Sequence, residues 1–370
     1  MLDDEKIWEV RVWTWKSFWD ATLDRASSRY QLLDRADLIM GSVHWTGDFM
    51  GASRPPHAEP LTLYRHWLAV CRLSSSVTVW PDPQEHLIAG AKGSLYASLN
   101  KVSRALGLDT ISTMLVTPKA TIQQVYSDII EGRASVVLKR EYSAGALHAF
   151  IPGQTEEDAS ERWRHAQELE RLWDAIDEDE EGLHFNRPRW LVQPYIRELQ
   201  GYGELRVHCV GGIVSHVIHS IPTDITLVSS DVNIATYFGN LDKISSKARE
   251  GITTIWDQSL MELGNETGEF QAYVLNTLAK LIIHEEHVYG VTSGLRLFAR
   301  LDVGVYKDKR SGKFRYWVNE ITRSHASSMF ETTIANHGIF DVFWTTLTQC
   351  LQIATMHKLF QKKHLPHPKV

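Results

Sequence analysis

Two carboxylates sit in otherwise apolar stretches of this chain. Asp302 lies in LFARLDVGVY (297–306) and Glu320 in FRYWVNEI (314–321), and the basic turn KDKRSGK (307–313) separates the two runs. Both runs are rich in β-branched and aromatic residues and predict strands. Joined by that turn, they bring Asp302 within reach of Glu320. Two carboxylates side by side repel unless a cation stands between them. A donor set made of oxygens alone selects Mg2+ or Mn2+ over zinc. Asn319 and Thr322 compete for the next ligand position. Arg300, Arg323 and His325 flank the pair in sequence.

Three further patterns carry potential chemistry. Lys139 ends the apolar run SVVLKR (135–140) and leads into REYSAG (140–145). A lysine there projects over a small-residue turn, where the Ser143 hydroxyl and the Gly145 amide can meet phosphate oxygens. In LVQPYI (191–196) a proline follows a strand, and backbone groups from Gln193 through Tyr195 to Ile196 can run beside a flat heterocycle. Glu204 and Arg206 are two apart on a strand and share a face, an acid for ribose hydroxyls beside an arginine for an anion. Each pattern alone reads as an ordinary strand end or ion pair. Other motifs fail. GAKGS (90–94) lacks the P-loop spacing, and GYGELR (201–206) lacks the third glycine of a dinucleotide fingerprint. HEEH (284–287) offers two histidines and no third ligand, and reads as a solvated helix end.

These residues need elements to position them. Residues 6–15 and 36–45 alternate as strands, 61–72 reads as a helix and 75–80 as a short strand, an α/β pattern. WPDP (80–83) signals a turn, and a helix over about 93–106 ends at the C-cap Gly107. Strands at 111–116, 135–140, 147–151 and 189–196 are interleaved with helices starting at Thr117-Pro118 and spanning 155–181. The order β-α-β-β-α-β predicts a small α+β unit. A hairpin over 204–220 turns at Gly211-Gly212, and 222–265 reads as irregular or helical. A helix over 267–287 aligns Leu275, Leu278, Leu281 and Ile282 on one face. The two carboxylate strands follow, and a helix at 341–360 closes the chain.

A length of 370 residues implies two or three domains, and 43% hydrophobic with 23% charged residues suits a soluble protein. The net charge of −6 argues against a chain whose main work is neutralising nucleic-acid phosphates. Cys71, Cys209 and Cys350 form no CxxC, which excludes a zinc ribbon or disulfide scaffold and fits a reducing compartment. MLDDEKIWEV has no apolar signal region, and no apolar run is long enough to span a membrane, so a cytoplasmic protein is expected. Seven of 13 tryptophans fall in the first 80 residues, for an aromatic core or an aromatic-lined pocket.

Taken in order, these elements resemble the ATP-grasp superfamily over roughly residues 80–330. Lys92, one helix upstream of GLDTISTMLV (107–116), is similar to the lysine that precedes that family's lid, and Lys139 to its second lysine. YSAG (142–145) resembles the phosphate-covering loop and QPYI (193–196) the base-binding hinge. Glu204 looks like the ribose ligand, with Arg206 the adjacent arginine. ARLDVGV (299–305) is similar to the Arg-x-Asp strand and VNEITR (318–323) to the late acidic strand. There are departures. Ala144 and Ala146 stand where glycines are common, and Asn-Glu-Ile-Thr where Glu-x-Asn is commoner.

The resemblance implies an ATP-grasp fold of mixed α/β and α+β class. It comprises an N-terminal substrate-side domain (1–106), a lid (107–195) and a C-terminal antiparallel-sheet domain (196–370). Nucleotide would lie between the last two. ATP and Mg2+ (or Mn2+) are the implied cofactors. Lys92, Lys139, Ser143, Gly145, Gln193, Tyr195, Ile196 and Glu204 would hold ATP, and Asp302, Glu320 and Asn319 the metal. Transfer of the γ-phosphate turns a carboxylate into an acyl phosphate, which an amine attacks to give an amide and ADP. Arg300 would stabilise the oxyanion, Arg323 and Arg206 would hold the substrate carboxylate, and His325 would accept the amine proton. The implied partners are a small-molecule carboxylate and amine, with neither nucleic acid nor membrane, and a homodimer is compatible. Two alternatives stay open: a carboxylating or phosphotransferring member of the family, and a nucleotide-binding regulatory protein without turnover.

Overall fold

Near its N-terminus the chain turns helical at Trp15, the last residue of the run 6–15 that alternation predicts as a strand. The described residues 9 and 11–14 of that run form neither strand nor helix. In the computed structural model, which describes residues 9, 11–40, 60–80, 82–88, 91–143, 147–174, 188–197, 199, 203–222, 232–238, 267–290, 293–296, 298–307 and 314–323, helix α1 (Trp15–Leu23) starts within that run. The Thr14 side chain caps it by accepting the Ser17 amide. Phe18, Ala21 and Thr22 then repeat at helical spacing and are buried. Helix α2 (Ser28–Asp34), strand β1 (Leu38–Met40), helix α3 (Pro60–Leu73), strand β2 (Thr78–Trp80) and helix α4 (Pro83–Ile88) complete this unit. β1 and β2 pair in parallel. Phe18, Tyr64, Trp67, Val70, Leu73 and Val79 form its core, with Trp13 and Trp19 against them. The described tryptophans here therefore build a core rather than a pocket.

Helix α5 (Lys92–Leu106) follows and ends at Gly107, whose φ of 69° favours glycine. Next come β3 (Met114–Val116), α6 (Lys119–Ile130), β4 (Val136–Arg140), β5 (Ala149–Phe150), α7 (Glu156–Asp174) and β6 (Trp190–Pro194). The strands form one antiparallel sheet in the order β3-β6-β4-β5. Ile122, Tyr126 and Ile129 of α6 and Ala159 and Ala166 of α7 pack on Leu138, Phe150 and Trp190. The acidic stretch 175–181, read as the end of α7, lies outside the described residues.

The larger sheet comprises β7 (Glu204–Val210), β8 (Ile213–Pro222), β9 (Val232–Phe238), β10 (Phe298–Lys307) and β11 (Phe314–Thr322), all antiparallel, in the order β11-β10-β7-β8-β9. β9 corrects the irregular or helical reading of 222–265 at those positions: its alternating, β-branched residues pair with β8. Period-2 alternation divides this sheet. Leu205, Val207, Leu301, Val303 and Ile321 are buried against Leu95, Leu99 and Val102 of α5 and Val274, Leu278 and Leu281 of helix α8 (Thr267–Tyr289). Glu204, Arg206, Arg300 and Asp302 alternate with them. The closing helix read at 341–360 lies outside the described residues. Among the described residues no helix is long and apolar enough to cross a membrane.

A buried charge cluster ties the first unit to the last. Arg323, just after β11, donates from Nη1 to Glu85 of α4 at 2.8 Å and to Glu285 of α8 at 2.9 Å, and from Nη2 to Glu285 at 2.7 Å. Glu85 and Glu285 are fully buried and Arg323 is 3% exposed. This corrects the reading of HEEH as a solvated helix end. Glu285 points inward, while Glu286 pairs with Arg296. Burial, and more weakly Glu285, push the Glu85 carboxyl up to about 7 against the pull of Arg323. The folded chain therefore holds a proton that the unfolded chain releases near pH 4.5. Its contribution is present at lower pH and is lost as pH rises through about 7. Glu85→Gln should flatten the fall of the urea midpoint across this window. An unchanged slope would show that Glu85 does not titrate there.

Candidate functional site

The start of α5, the end of β4 and the polar side of the larger sheet converge on one cluster. Lys92 is the first residue of α5, and its ammonium donates to the Ser143 carbonyl at 2.5 Å and lies 3.4 Å from Glu320. Lys139, on β4, donates to the Tyr96 hydroxyl at 3.3 Å and lies over that ring. Tyr96 is one helical turn beyond Lys92, 2% exposed, and is also hydrogen-bonded by Gln193. Burial lowers the Lys139 ammonium below its ordinary value, while Glu320, Glu204 and Asp302 oppose that.

The strand register aligns the acids. Asp302 is opposite both Glu320 on β11 and Arg206 on β7. The register shifts after Asp302, so Asn319 is the extra residue of a bulge. Its amide donates to Glu204 at 2.8 Å, and Arg206 lies 3.8 Å from the same carboxylate. Asp302 receives two parallel hydrogen bonds from Arg300, both at 2.8 Å, the strong fork geometry. Burial, and after it Glu204, still push Asp302 up to about 7. Glu320 is pushed the other way: burial would raise it, but Lys92, Lys139 and Arg300 together hold it below its ordinary value. The repulsion expected between Asp302 and Glu320 is thus offset by side-chain cations, Arg300 on one and Lys92 on the other.

The other sequence-derived candidates fall in three places. The Ser143 hydroxyl accepts the His148 amide at 3.2 Å, beside the carbonyl held by Lys92. At the hinge, Gln193 donates to Thr113 at 2.9 Å, the Tyr195 amide is bonded to the Ser135 carbonyl, and the Ile196 carbonyl accepts the Leu199 amide. Gly145 and His325 lie outside the described residues. Arg323 is not brought to the cluster. The role expected for it, holding a substrate carboxylate, is corrected, because Glu85 and Glu285 already occupy its Nη groups in the interior.

Sequence reading missed Tyr96, Glu141 and Arg189. Glu141, 1% exposed, accepts the Gly93 amide at 2.7 Å and three hydrogen bonds from Arg189. Its carboxylate therefore caps the start of α5, where negative charge is favoured, and fixes Lys92 relative to the turn after β4. In that turn Tyr142 holds φ at 50°, unusual for a non-glycine residue. A Cβ on Gly93 would stand 2.7 Å from Arg189 Nη2 and from Glu141 Oε1. Gly93→Ala should therefore destabilise the fold by about 1–3 kcal/mol, read as a lower denaturant midpoint. An unchanged midpoint would mean this contact is slack.

No protein-family model and no curated protein sequence matches the chain. Solved structures similar to it include D-cycloserine synthetase DcsG, at 14% identity and a TM-score of 0.48 over 92% of this chain and 94% of that one. ATP-grasp ligase PsnB, complexed with a minimal precursor, is similar at 13% identity and 0.37 over 78% and 71%. The D-alanine-D-alanine ligase from Coxiella burnetii is similar at 16% and 0.39 over 89% and 71%.

Proposed function

We propose that the chain is an ATP-dependent ligase that activates a carboxylate as an acyl phosphate and joins it to an amine. The observation that best supports this is the convergence of two lysines from separate elements, Lys92 and Lys139, on one row of strand carboxylates. Among the described residues neither lysine lies within 3 Å of a carboxylate oxygen: Lys92 stands 3.4 Å from Glu320, and Lys139 meets a phenol. On this reading both ammonium groups take phosphate oxygens of ATP. Glu204 is the ribose acid, and the backbone from Gln193 to Ile196 borders the base.

The donor chemistry also fits a hard divalent cation. Asp302, Glu320, Glu204 and Asn319 offer only oxygen ligands, and Asp302 faces Glu320 across the strand pair. Among the described residues no three His, Cys, Asp or Glu side chains already converge closely enough to hold a metal ion. Asp302 and Glu320 would hold Mg2+, with Asn319 the further donor, and the bound ion would neutralise triphosphate charge.

The γ-phosphoryl group passes to a carboxylate oxygen, and ADP leaves. The amine nitrogen then attacks the acyl carbon, phosphate leaves, and His325 takes the amine proton. Arg300, beside the reacting row, stabilises the tetrahedral oxyanion. Arg206 holds the substrate carboxylate. The substrates are small molecules, and the units 1–106, 107–195 and 196–370 supply the substrate side, the lid and the catalytic sheet. ADP release with pooled carboxylates and amines tests this. A ligase turns over only when both are present. Turnover with a single acceptor would instead mark a phosphotransferase, and nucleotide binding without turnover a regulatory protein.

A further inference from the structure

The turn after β4 holds Lys92 at both ends. The Lys92 ammonium donates to the Ser143 carbonyl at 2.5 Å, and the amide of the next residue, Gly93, donates to Glu141 Oε1 at 2.7 Å. Glu141 and Ser143 are separated only by Tyr142, whose φ of 50° bends the turn. A lysine ammonium rides on a long flexible stem, so it is aimed only when both its backbone and its tip are restrained. Here both restraints come from the small-sheet unit, and the ammonium stands 3.4 Å from Glu320 of the larger sheet.

Glu141 is itself held. Its amide donates to the Arg189 carbonyl at 2.9 Å, and its carboxylate accepts the Arg189 amide at 2.9 Å, Nε at 2.9 Å and Nη2 at 2.8 Å. With the Gly93 amide, four donors meet one carboxylate that is 1% exposed. A buried network satisfied to this degree has one well-defined arrangement. An ordinary cap would come from the residue before the helix, but Ala91 offers no side-chain hydrogen bond. Arg189 also cancels the charge of Glu141. What the pair gives α5 is therefore a fixed place against the small sheet more than a net field at its dipole.

We propose that Glu141 and Arg189 are positioning residues for the nucleotide. They fix the backbone that carries Lys92, so that its ammonium stands between the turn 141–143 and Glu320, where the ligase reading puts the triphosphate. The inference rests on that reading. Both residues act through Lys92.

A double-mutant cycle tests this, read by calorimetric titration of the full chain with a non-hydrolysable ATP analogue and Mg2+. Lys92→Ala should weaken binding about tenfold or more. Glu141→Gln should weaken it about fivefold or more, since a misplacement of about 1 Å is enough. Added to Lys92→Ala, Glu141→Gln should weaken it no further. Arg189→Gln, at a side chain 41% exposed, should reproduce both results, and it carries the test if Glu141→Gln does not fold. Glu170→Gln breaks the Arg140 pair, which joins β4 to α7 rather than to α5, and should leave the affinity at the wild-type value. Equal weakening by Glu170→Gln would assign the effect to a loosened sheet and overturn the proposal. Wild-type affinity in Glu141→Gln and Arg189→Gln, or a loss that persists undiminished beside Lys92→Ala, would overturn it and leave the ligase reading standing. No analogue binding by the wild type would overturn that reading, and the proposal with it.

Discussion

Arg323→Leu should lower the free energy of unfolding by about 3–5 kcal/mol, the range for removing one partner of a buried ion cluster. The size follows from what is left behind. Glu85 and Glu285 are both fully buried, and Arg323 is the cation that holds them together. Without it two carboxylates face one another in a site with little water. Glu85 can take up a proton to relieve this, since its carboxyl already stands at about 7. The loss should therefore be larger at pH 8 than at pH 5, a sign that follows from the raised carboxyl. Adding Glu85→Gln and Glu285→Gln to Arg323→Leu should recover part of the loss. Urea midpoints on the wild type, Arg323→Leu and the triple variant decide the matter, and a loss below about 1 kcal/mol for Arg323→Leu would show that the cluster contributes little.

The second large effect concerns nucleotide affinity rather than stability. Lys139→Met should weaken ATP binding about 10- to 100-fold, the equivalent of one charge-assisted hydrogen bond. It should leave apo stability similar or higher. Lys139 is an ammonium that burial disfavours, and its nearest polar contact is a phenol at 3.3 Å. Methionine keeps the volume and removes the desolvation penalty. Opposite signs on affinity and stability distinguish a ligand-holding lysine from a structural one. Calorimetric titration with ATP alongside a thermal melt reads both. Unchanged affinity together with a lower melting temperature would assign Lys139 to the scaffold.

Much of the frame was legible because it rests on local pattern. Alternation and the basic turn gave β10 and β11, and with them the opposition of Asp302 and Glu320. Gly107 and Gly211-Gly212 marked a helix end and a hairpin through their need for positive φ. What escaped depends on partners far apart in sequence. Nothing local to Glu141 tells that it caps α5 48 residues upstream. Tyr96 fits the apolar face of α5, and only its hydroxyl, brought under Lys139 by the small sheet, belongs to the site. The spacing Asp82-x-x-Glu85 is a capping box, and Asp82 does accept the Gln84 and Glu85 amides. It could have revealed α4. It would have assigned the Glu85 side chain to that cap rather than to Arg323. The Asn319 bulge had no sequence signal, since one extra residue in a strand leaves its composition unchanged. The N-terminal run was misread because Trp13 and Trp15 mimic alternation before the helical spacing of Phe18, Ala21 and Thr22 begins.

The claim that ATP lies between the small sheet and the carboxylate row is tested most directly by hydrogen exchange on the wild-type chain, with and without a non-hydrolysable ATP analogue and Mg2+. Peptides covering 92–99, 136–143 and 298–304 come from α5, β4 and β10, three elements far apart in sequence. The expected result is added protection in all three on binding, with peptides from α3 unchanged. Analogue binding that leaves 92–99 and 136–143 at their unliganded exchange rates would place the nucleotide elsewhere and contradict the assignment of Lys92 and Lys139.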